Sequence, residues 1–200
     1  MGKTTQVELL AGSFRDRGCS VLVTREPGGT AVAESIRRLL LAPAGEVLEP
    51  VTEALLYAAA RAQHVACKIA PALAAGRLVI SDRFSDATLA YQGYGRGYNI
   101  NMLAELNALA TGGLVPDLTI LLDMPVEQAL ARIKRPADRM EGEGREFFRR
   151  VRRGYLELAA RDPRRYCIID AGQTLMTVHE RVLAAVEEKI SETIRRSDRA

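Results

Sequence analysis

Four short apolar runs set the limits on how this 200-residue chain can fold. They are "SVLVT" (20–24), "RLVIS" (77–81), "LTILLD" (118–123) and "YCIID" (166–170), each continuous and β-rich. A strand with one wet face alternates apolar and polar residues. A run that stays apolar throughout is covered on both faces, as in a parallel sheet. Between the runs lie amphipathic helical stretches, at about 3–17, 30–42, 50–75, 101–111, 126–134, 144–161 and 174–194. Gly18 and Gly76 stand just after two of them, where a left-handed residue ends a helix. The alternation predicts a parallel sheet in a three-layer α/β/α arrangement. With 48% apolar residues, the chain can bury one sizeable core, so residues 1–200 form a single domain.

Charge and cysteine content exclude several functions. The net charge is only +3, and although 24 of the 28 basic residues are Arg, they form no concentrated stripe of the kind a nucleic-acid binder carries. Cys19, Cys67 and Cys167 are odd in number and far apart, with no C-x-x-C pair, and read as reduced thiols of a cytoplasmic protein. No apolar run approaches a membrane span and the polar start is unlike a signal peptide, so neither a membrane nor nucleic acid is expected as a partner.

In a parallel α/β sheet, ligands bind beyond the carboxyl ends of the strands. Chemistry-bearing residues gather there in this chain. The chain opens with Gly2-Lys3-Thr4-Thr5, the back half of a phosphate-binding loop of the form G-x-x-x-x-G-K-[ST]. After the run at 20–24 comes "TREPGGTAVAESIRR", a Pro-Gly-Gly loop with Thr30 placed to cap the next helix. Arg25 and Arg37 can face one pocket there, or be solvated on a surface turn. After 77–81 comes "SDRFSDATLAYQGYGRG", where Asp82 fits a magnesium-ordering carboxylate, or simply a helix cap, and Arg83 can clamp an acceptor phosphate. Asp123, after the third run, reads as a helix cap.

Within "EALLYAAARAQH", Tyr57 and Arg61 are four apart and share a helix face. A ring one turn from an Arg can stack on a base whose carbonyl edge the Arg bonds. A Tyr there can equally belong to the core. "IKRPADRMEGEGREFFRR" (133–150) carries Arg, Glu and Gly between two helices, as a mobile flap over phosphates or an ordinary solvated loop would. His64 and His179 are isolated in the sequence and receive no chemistry.

Taken in order, "TREPGGT", "DRF…LAYQG", "EALLYAAARAQH", "PDLTILLD" and "DRMEGEG" resemble the bacterial thymidylate kinases, from Gly2 to the mid-180s. The resemblance implies a P-loop nucleotide kinase fold and transfer of the γ-phosphoryl group of ATP to thymidine monophosphate (dTMP), with magnesium. It implies ATP and phosphate contacts at Gly2, Lys3, Thr4 and Thr5, with the Thr4 hydroxyl on the metal. Arg37 and Arg83 match the arginines on the acceptor phosphate, and Arg25 and Glu26 the loop beside it. Glu26 is also a candidate for ordering metal-bound water. Tyr57 matches the aromatic, usually Phe, that stacks on thymine. Arg61 matches the Arg on the base carbonyl, while Thr88 and Gln92 match residues reading the base edge. Arg139 matches the catalytic arginine of a lid at about 134–146, beside Lys3 and Arg83. A homodimer packed through helices is implied as well.

The family's first strand and the E-G-x-[DE]-G-x part of its loop have no counterpart in the sequence. That strand would lie in the middle of the sheet, so the expectation is of a chain shorter than the natural enzyme, with a start assigned too late. Two other readings remain at this point. One is a different P-loop nucleoside or nucleotide kinase. The other is a nucleotide-binding remnant without catalysis.

Overall fold

The computed structural model describes residues 2–42, 47–132, 139–140 and 142–197. In chain order the elements are α1 (Lys3–Arg15), β1 (Val21–Arg25), α2 (Ala31–Leu41), α3 (Pro50–His64), α4 (Ala70–Ala74), β2 (Leu78–Asp82) and α5 (Ser85–Thr88). There follow α6 (Ile100–Thr111), β3 (Thr119–Asp123), α7 (Val126–Ala131), α8 (Arg145–Arg161), β4 (Tyr166–Asp170) and α9 (Leu175–Ser197). Two π-helical segments join them: Val65–Ile69 carries α3 into α4, and Leu89–Gly95 prolongs α5.

All four strands fall within a residue or so of the apolar runs, and the helix ends obey local chemistry. Thr30 caps α2 by accepting from Ala33 N at 3.2 Å, and Gly18 and Gly76 take the expected positive φ of 80° and 69°. The helical stretch over 85–95 was not expected. Gly93 and Gly95 lower its intrinsic propensity, and packing against α8 and α6 overrides that.

Each strand pairs in parallel, as expected, but in two separate sheets. β1 runs beside β2, from Val21↔Leu78 to Arg25↔Asp82, and β3 beside β4, from Thr119↔Tyr166 to Asp123↔Asp170. Every residue of β2 and β3 is half-buried, whereas the middle of a continuous parallel sheet is covered on both faces.

Helices cover both faces of the strands, which gives the three layers. Leu10, Ala11 and Phe14 of α1 and Val178 and Val182 of α9 form one core with Val21 and Ile169, and Ile80, Ile120 and Leu122 pack onto it. On the other face, Leu158 and Ala159 of α8 meet Tyr166, with Leu89 and Leu121 against them. Ile120 and Leu122 thus face one layer and Leu121 the other, the two-residue period of a strand. A bidentate pair of Arg165 with Asp86, at 2.6 and 3.0 Å, ties α5 to the β3–β4 half. Asp123 does not cap α7. It is held by Arg152 of α8 at 2.7 and 2.8 Å, because Pro125 takes the cap position.

Candidate active site

The loop after β1 is built around buried charge. Glu26 is 5% exposed, and Arg61 and His64 of α3 lie beneath it at 2% and 0%. Arg61 Nε donates to Glu26 Oε2 at 2.8 Å, and Glu26 Oε1 lies 3.1 Å from His64 Nδ1. The other ring nitrogen of His64 sits 2.7 Å from Thr24 Oγ1. Gly29 closes over this group with φ +90°, and a Cβ there would come within 2.6 Å of the imidazole. Only glycine fits both the left-handed backbone and the close approach. A buried ion pair survives when further hydrogen bonds satisfy both partners, and here they do.

Arg61 extends the network across to α5 and α6. Its Nη1 donates to Thr88 Oγ1 at 3.0 Å and to Asn107 Oδ1 at 2.6 Å, and its Nη2 to Phe84 O at 3.3 Å. Two turns earlier on α3, Glu53 (1% exposed) accepts from Gln92 Nε2 at 2.8 Å. Glu53, Tyr57 and Arg61 form one stripe at four-residue spacing, and Thr88 and Gln92 form the facing stripe. The stripes meet at two rungs, Glu53–Gln92 and Arg61–Thr88, with half-buried Tyr57 one turn from each. Burial, and next the Glu53 charge, push the Tyr57 phenol up to about 12, so it is neutral near pH 7.

Glu53 also accepts from Arg96 Nε at 2.8 Å and from Arg139 Nη2 at 2.5 Å, while Arg139 Nε donates to Leu40 O at 2.8 Å. Burial alone would raise the Glu53 pKa. Hydrogen bonds from Arg96, Gln92 and Arg139 outweigh it and hold the carboxyl below its ordinary value.

Arg83 follows β2 with φ +76°, a left-handed conformation unusual for a side chain this large. Ser81 Oγ donates to its carbonyl at 2.7 Å and fixes the bend. The guanidinium is carried 4.7 Å over the Tyr91 ring. Tyr91 first, then Tyr155 and Asp82, raise its pKa further against the opposing effect of burial. Its neighbour Asp82 has a buried Oδ1 with no hydrogen-bond partner. An orphaned carboxylate oxygen is expensive unless a ligand or ion meets it.

On the other side of the loop, Arg37 Nη1 donates to Pro27 O at 2.7 Å. Arg25 is exposed and paired with Glu34 at 3.2 Å, and Glu34 in turn accepts from Gly29 N at 3.0 Å. Both arginines therefore border the loop. Lys3, Thr4 and Thr5 form the first turn of α1, and Gly2 caps it with φ 73°. Gly2, Thr4 and Thr5 are exposed. Of the expected flap, residues 133–138 and 141 lie outside the described residues. Among the described residues, no group of three or more His, Cys, Asp and Glu side chains could hold a metal by itself.

The thymidylate kinase family model matches residues 1–182. This chain belongs to the thymidylate kinase family. It is 54% identical to a thymidylate kinase of Pelotomaculum thermopropionicum over 100% of this chain and 94% of that protein. It is 52% identical to one of Synechococcus sp. (strain JA-3-3Ab), over 95% of this chain and 92% of the relative. The fold is likewise that of a solved thymidylate kinase, from Ehrlichia chaffeensis, with a TM-score of 0.75 and 34% identity over 92% of this chain and 91% of the other.

Set against the family pattern, the structure ties Glu26, Arg61 and Thr88 into one hydrogen-bonded group and Gln92 to Glu53 in a second, with Tyr57 on the same helix face one turn from each. Arg139 joins the second group through Glu53. Glu26 has one oxygen on Arg61 and the other on His64, and so fixes Arg61. Sequence reasoning missed His64, Glu53, Arg96 and Asn107. Glu53 had a signal, since it extends the Tyr57–Arg61 stripe by one turn. Asn107 had none, because nothing local marks a residue that meets Arg61 from 46 positions away.

Proposed function

We propose that the chain transfers the γ-phosphoryl group of ATP to dTMP, giving the diphosphate and ADP. The observation that carries this reading is the pair of rungs one turn on either side of Tyr57, which place an aromatic ring near a guanidinium, groups suited to a flat pyrimidine. Tyr57 stacks on the base and Arg61 donates to its carbonyl, held rigid by Glu26, Thr88 and Asn107. Arg37 and Arg83 hold the acceptor phosphate, with Arg25 at the rim of the loop. Gly2, Lys3, Thr4 and Thr5 hold the ATP phosphates at the start of α1, where backbone N–H groups and the helix dipole favour anions.

Thr4 and Asp82 would hold magnesium, and the orphaned Asp82 Oδ1 fits a contact to metal-bound water. When bound, the ion neutralises charge on the phosphates. Transfer between two anions needs positioning and positive charge more than covalent chemistry, so Lys3, Arg83 and Arg139 act as catalytic cations. A nucleotide phosphate oxygen is already ionised near neutral pH, and no general base is required. Arg139 belongs to a lid at about 134–146 that excludes water when both nucleotides are bound. The chain acts in the cytoplasm as a homodimer, folded as one domain over 1–200. No described helix is long and apolar enough to cross a membrane.

The test is ADP release coupled to dTMP, with thymidine and other nucleoside monophosphates in parallel. Turnover with dTMP and none with thymidine supports the reading. Turnover with thymidine alone makes the chain a nucleoside kinase, and tight dTMP binding without turnover makes it a binding remnant.

A further inference from the structure

Glu53 has no part in the expected chemistry, yet it lies at the centre of a cluster. Its carboxylate is 1% exposed and meets Gln92, Arg96 and Arg139. An ionised carboxylate only accepts hydrogen bonds. Gln92 must therefore turn its NH2 group to Glu53, as it does at 2.8 Å, and its planar amide then points Oε1 the other way. The neighbouring amide could be built in either orientation on shape alone, and the hydrogen-bond network decides between them. Here the network is unambiguous, because the hydrogen bonds from Arg96, Gln92 and Arg139 keep Glu53 ionised against its burial.

Arg61 supplies the complementary half. Of its five N–H groups, Nε serves Glu26, the two on Nη1 serve Thr88 and Asn107, and one on Nη2 serves Phe84 O. The second Nη2 hydrogen is the one that, on the acceptor-site reading, faces the base. On that reading the base beside Tyr57 meets one donor, from Arg61, and one acceptor, from Gln92.

We infer that Glu53 is the residue that sets this pattern, and through it the preference for a 4-oxo pyrimidine over a 4-amino one. Thymine presents an acceptor at O4 and a donor at N3, matching Arg61 and Gln92 Oε1. Cytosine presents the reverse, a donor at N4 and an acceptor at N3, and meets donor with donor and acceptor with acceptor. Glu53 does not touch the base. It is a positioning residue acting through Gln92. The inference rests on the acceptor-site reading proposed above, with Tyr57, Arg61 and Gln92 around the base.

The experiment is calorimetric binding of dTMP and of deoxycytidine monophosphate to the wild-type chain and to Glu53→Gln and Glu53→Asp, which requires no turnover. In Glu53→Gln the new amide can accept or donate, so Gln92 is free to rotate. The expected result is a dTMP preference that falls about tenfold or more in Glu53→Gln and is kept in Glu53→Asp, whose carboxylate still only accepts. General loosening of the cluster lowers both affinities and leaves their ratio unchanged. An unchanged ratio in a folded Glu53→Gln chain overturns the inference while leaving the acceptor site standing. A wild-type chain that binds neither nucleotide overturns the acceptor-site reading itself. Should Glu53→Gln fail to fold, hydrogen exchange of the Gln92 side-chain amide in the wild-type chain decides the matter. Protection before dTMP is added supports Glu53 as its partner, and protection only after dTMP is added overturns it.

Discussion

The two parts of the molecule proposed to hold nucleotides are built in opposite ways. Around α3, Glu26, Glu53, Arg61, His64, Thr88 and Gln92 are all buried, and every one has a protein partner. At the start of α1, Gly2, Thr4 and Thr5 are exposed on a first helical turn. The difference matches what each part is proposed to read. A base is told from its relatives by a fixed pattern of donors and acceptors. Such a pattern must be held by groups already desolvated and satisfied when the ligand arrives. A phosphate is recognised by charge and by backbone N–H groups that remain hydrated until it binds. Damage around α3 should therefore appear in stability and binding together, whereas damage at the first turn of α1 should appear in activity alone.

The largest effect is expected from Arg61→Ala. It leaves the Glu26 carboxylate and Asn107 buried beside a lost partner, and breaking such a pair costs about 3–5 kcal/mol. Urea unfolding measures it, and a variant as stable as wild type would break the contrast. Gly29→Ala is next, at about 1–3 kcal/mol, because the backbone is left-handed there and the new methyl meets His64 and Thr24. Its thermal midpoint should fall even though the substitution adds no charge.

Acidification sharpens the same contrast. The folded-state pKa of Glu53 is lowered from 4.5, so its contribution is present above about pH 4.5 and is lost as pH falls through the folded value. Melting of wild type and Glu53→Gln should differ most near neutrality and converge as the pH drops below that window. Lys3→Met, on the α1 side, should change stability by no more than about 0.5 kcal/mol while ADP release collapses. A melting point that falls as far as that of Gly29→Ala would mean that the exposed first turn of α1 carries structural weight as well. The smallest effect belongs to Tyr57→Phe, which keeps the stacking face and should leave the dTMP Kd nearly unchanged. Tyr57→Ala, by contrast, loses about 1–3 kcal/mol of stacking.

How much of this the sequence could tell depended on whether the signal was local. Continuous apolar runs placed β1 to β4 because burial on both faces leaves a pattern any parallel strand must carry. The Pro-Gly-Gly loop and the Tyr57–Arg61 spacing were readable for the same reason: turn chemistry and helical period are properties of neighbours. The helix at 85–95 was not, since its glycines argue against it and only contacts with α8 and α6 overrule them. His64 illustrates the limit most clearly. A lone histidine is uninformative in a string of letters, yet three-dimensional packing sets it between Thr24 and Glu26, about 40 residues earlier. The separation of the strands into two pairs was legible only through the resemblance, which puts the strand without a counterpart in the middle of the sheet, because pairing is decided between segments far apart in sequence.

The most direct test of the account is a crystal structure of this chain with dTMP. The account predicts thymine stacked on Tyr57, O4 bonded by Arg61, N3 bonded by Gln92 Oε1 and the phosphate between Arg37 and Arg83. The buried group of Thr24, His64, Glu26 and Arg61 should move by less than about 1 Å, as a preorganised site does. A base bound elsewhere, or one that enters only by breaking the Glu26–Arg61 pair, would contradict it.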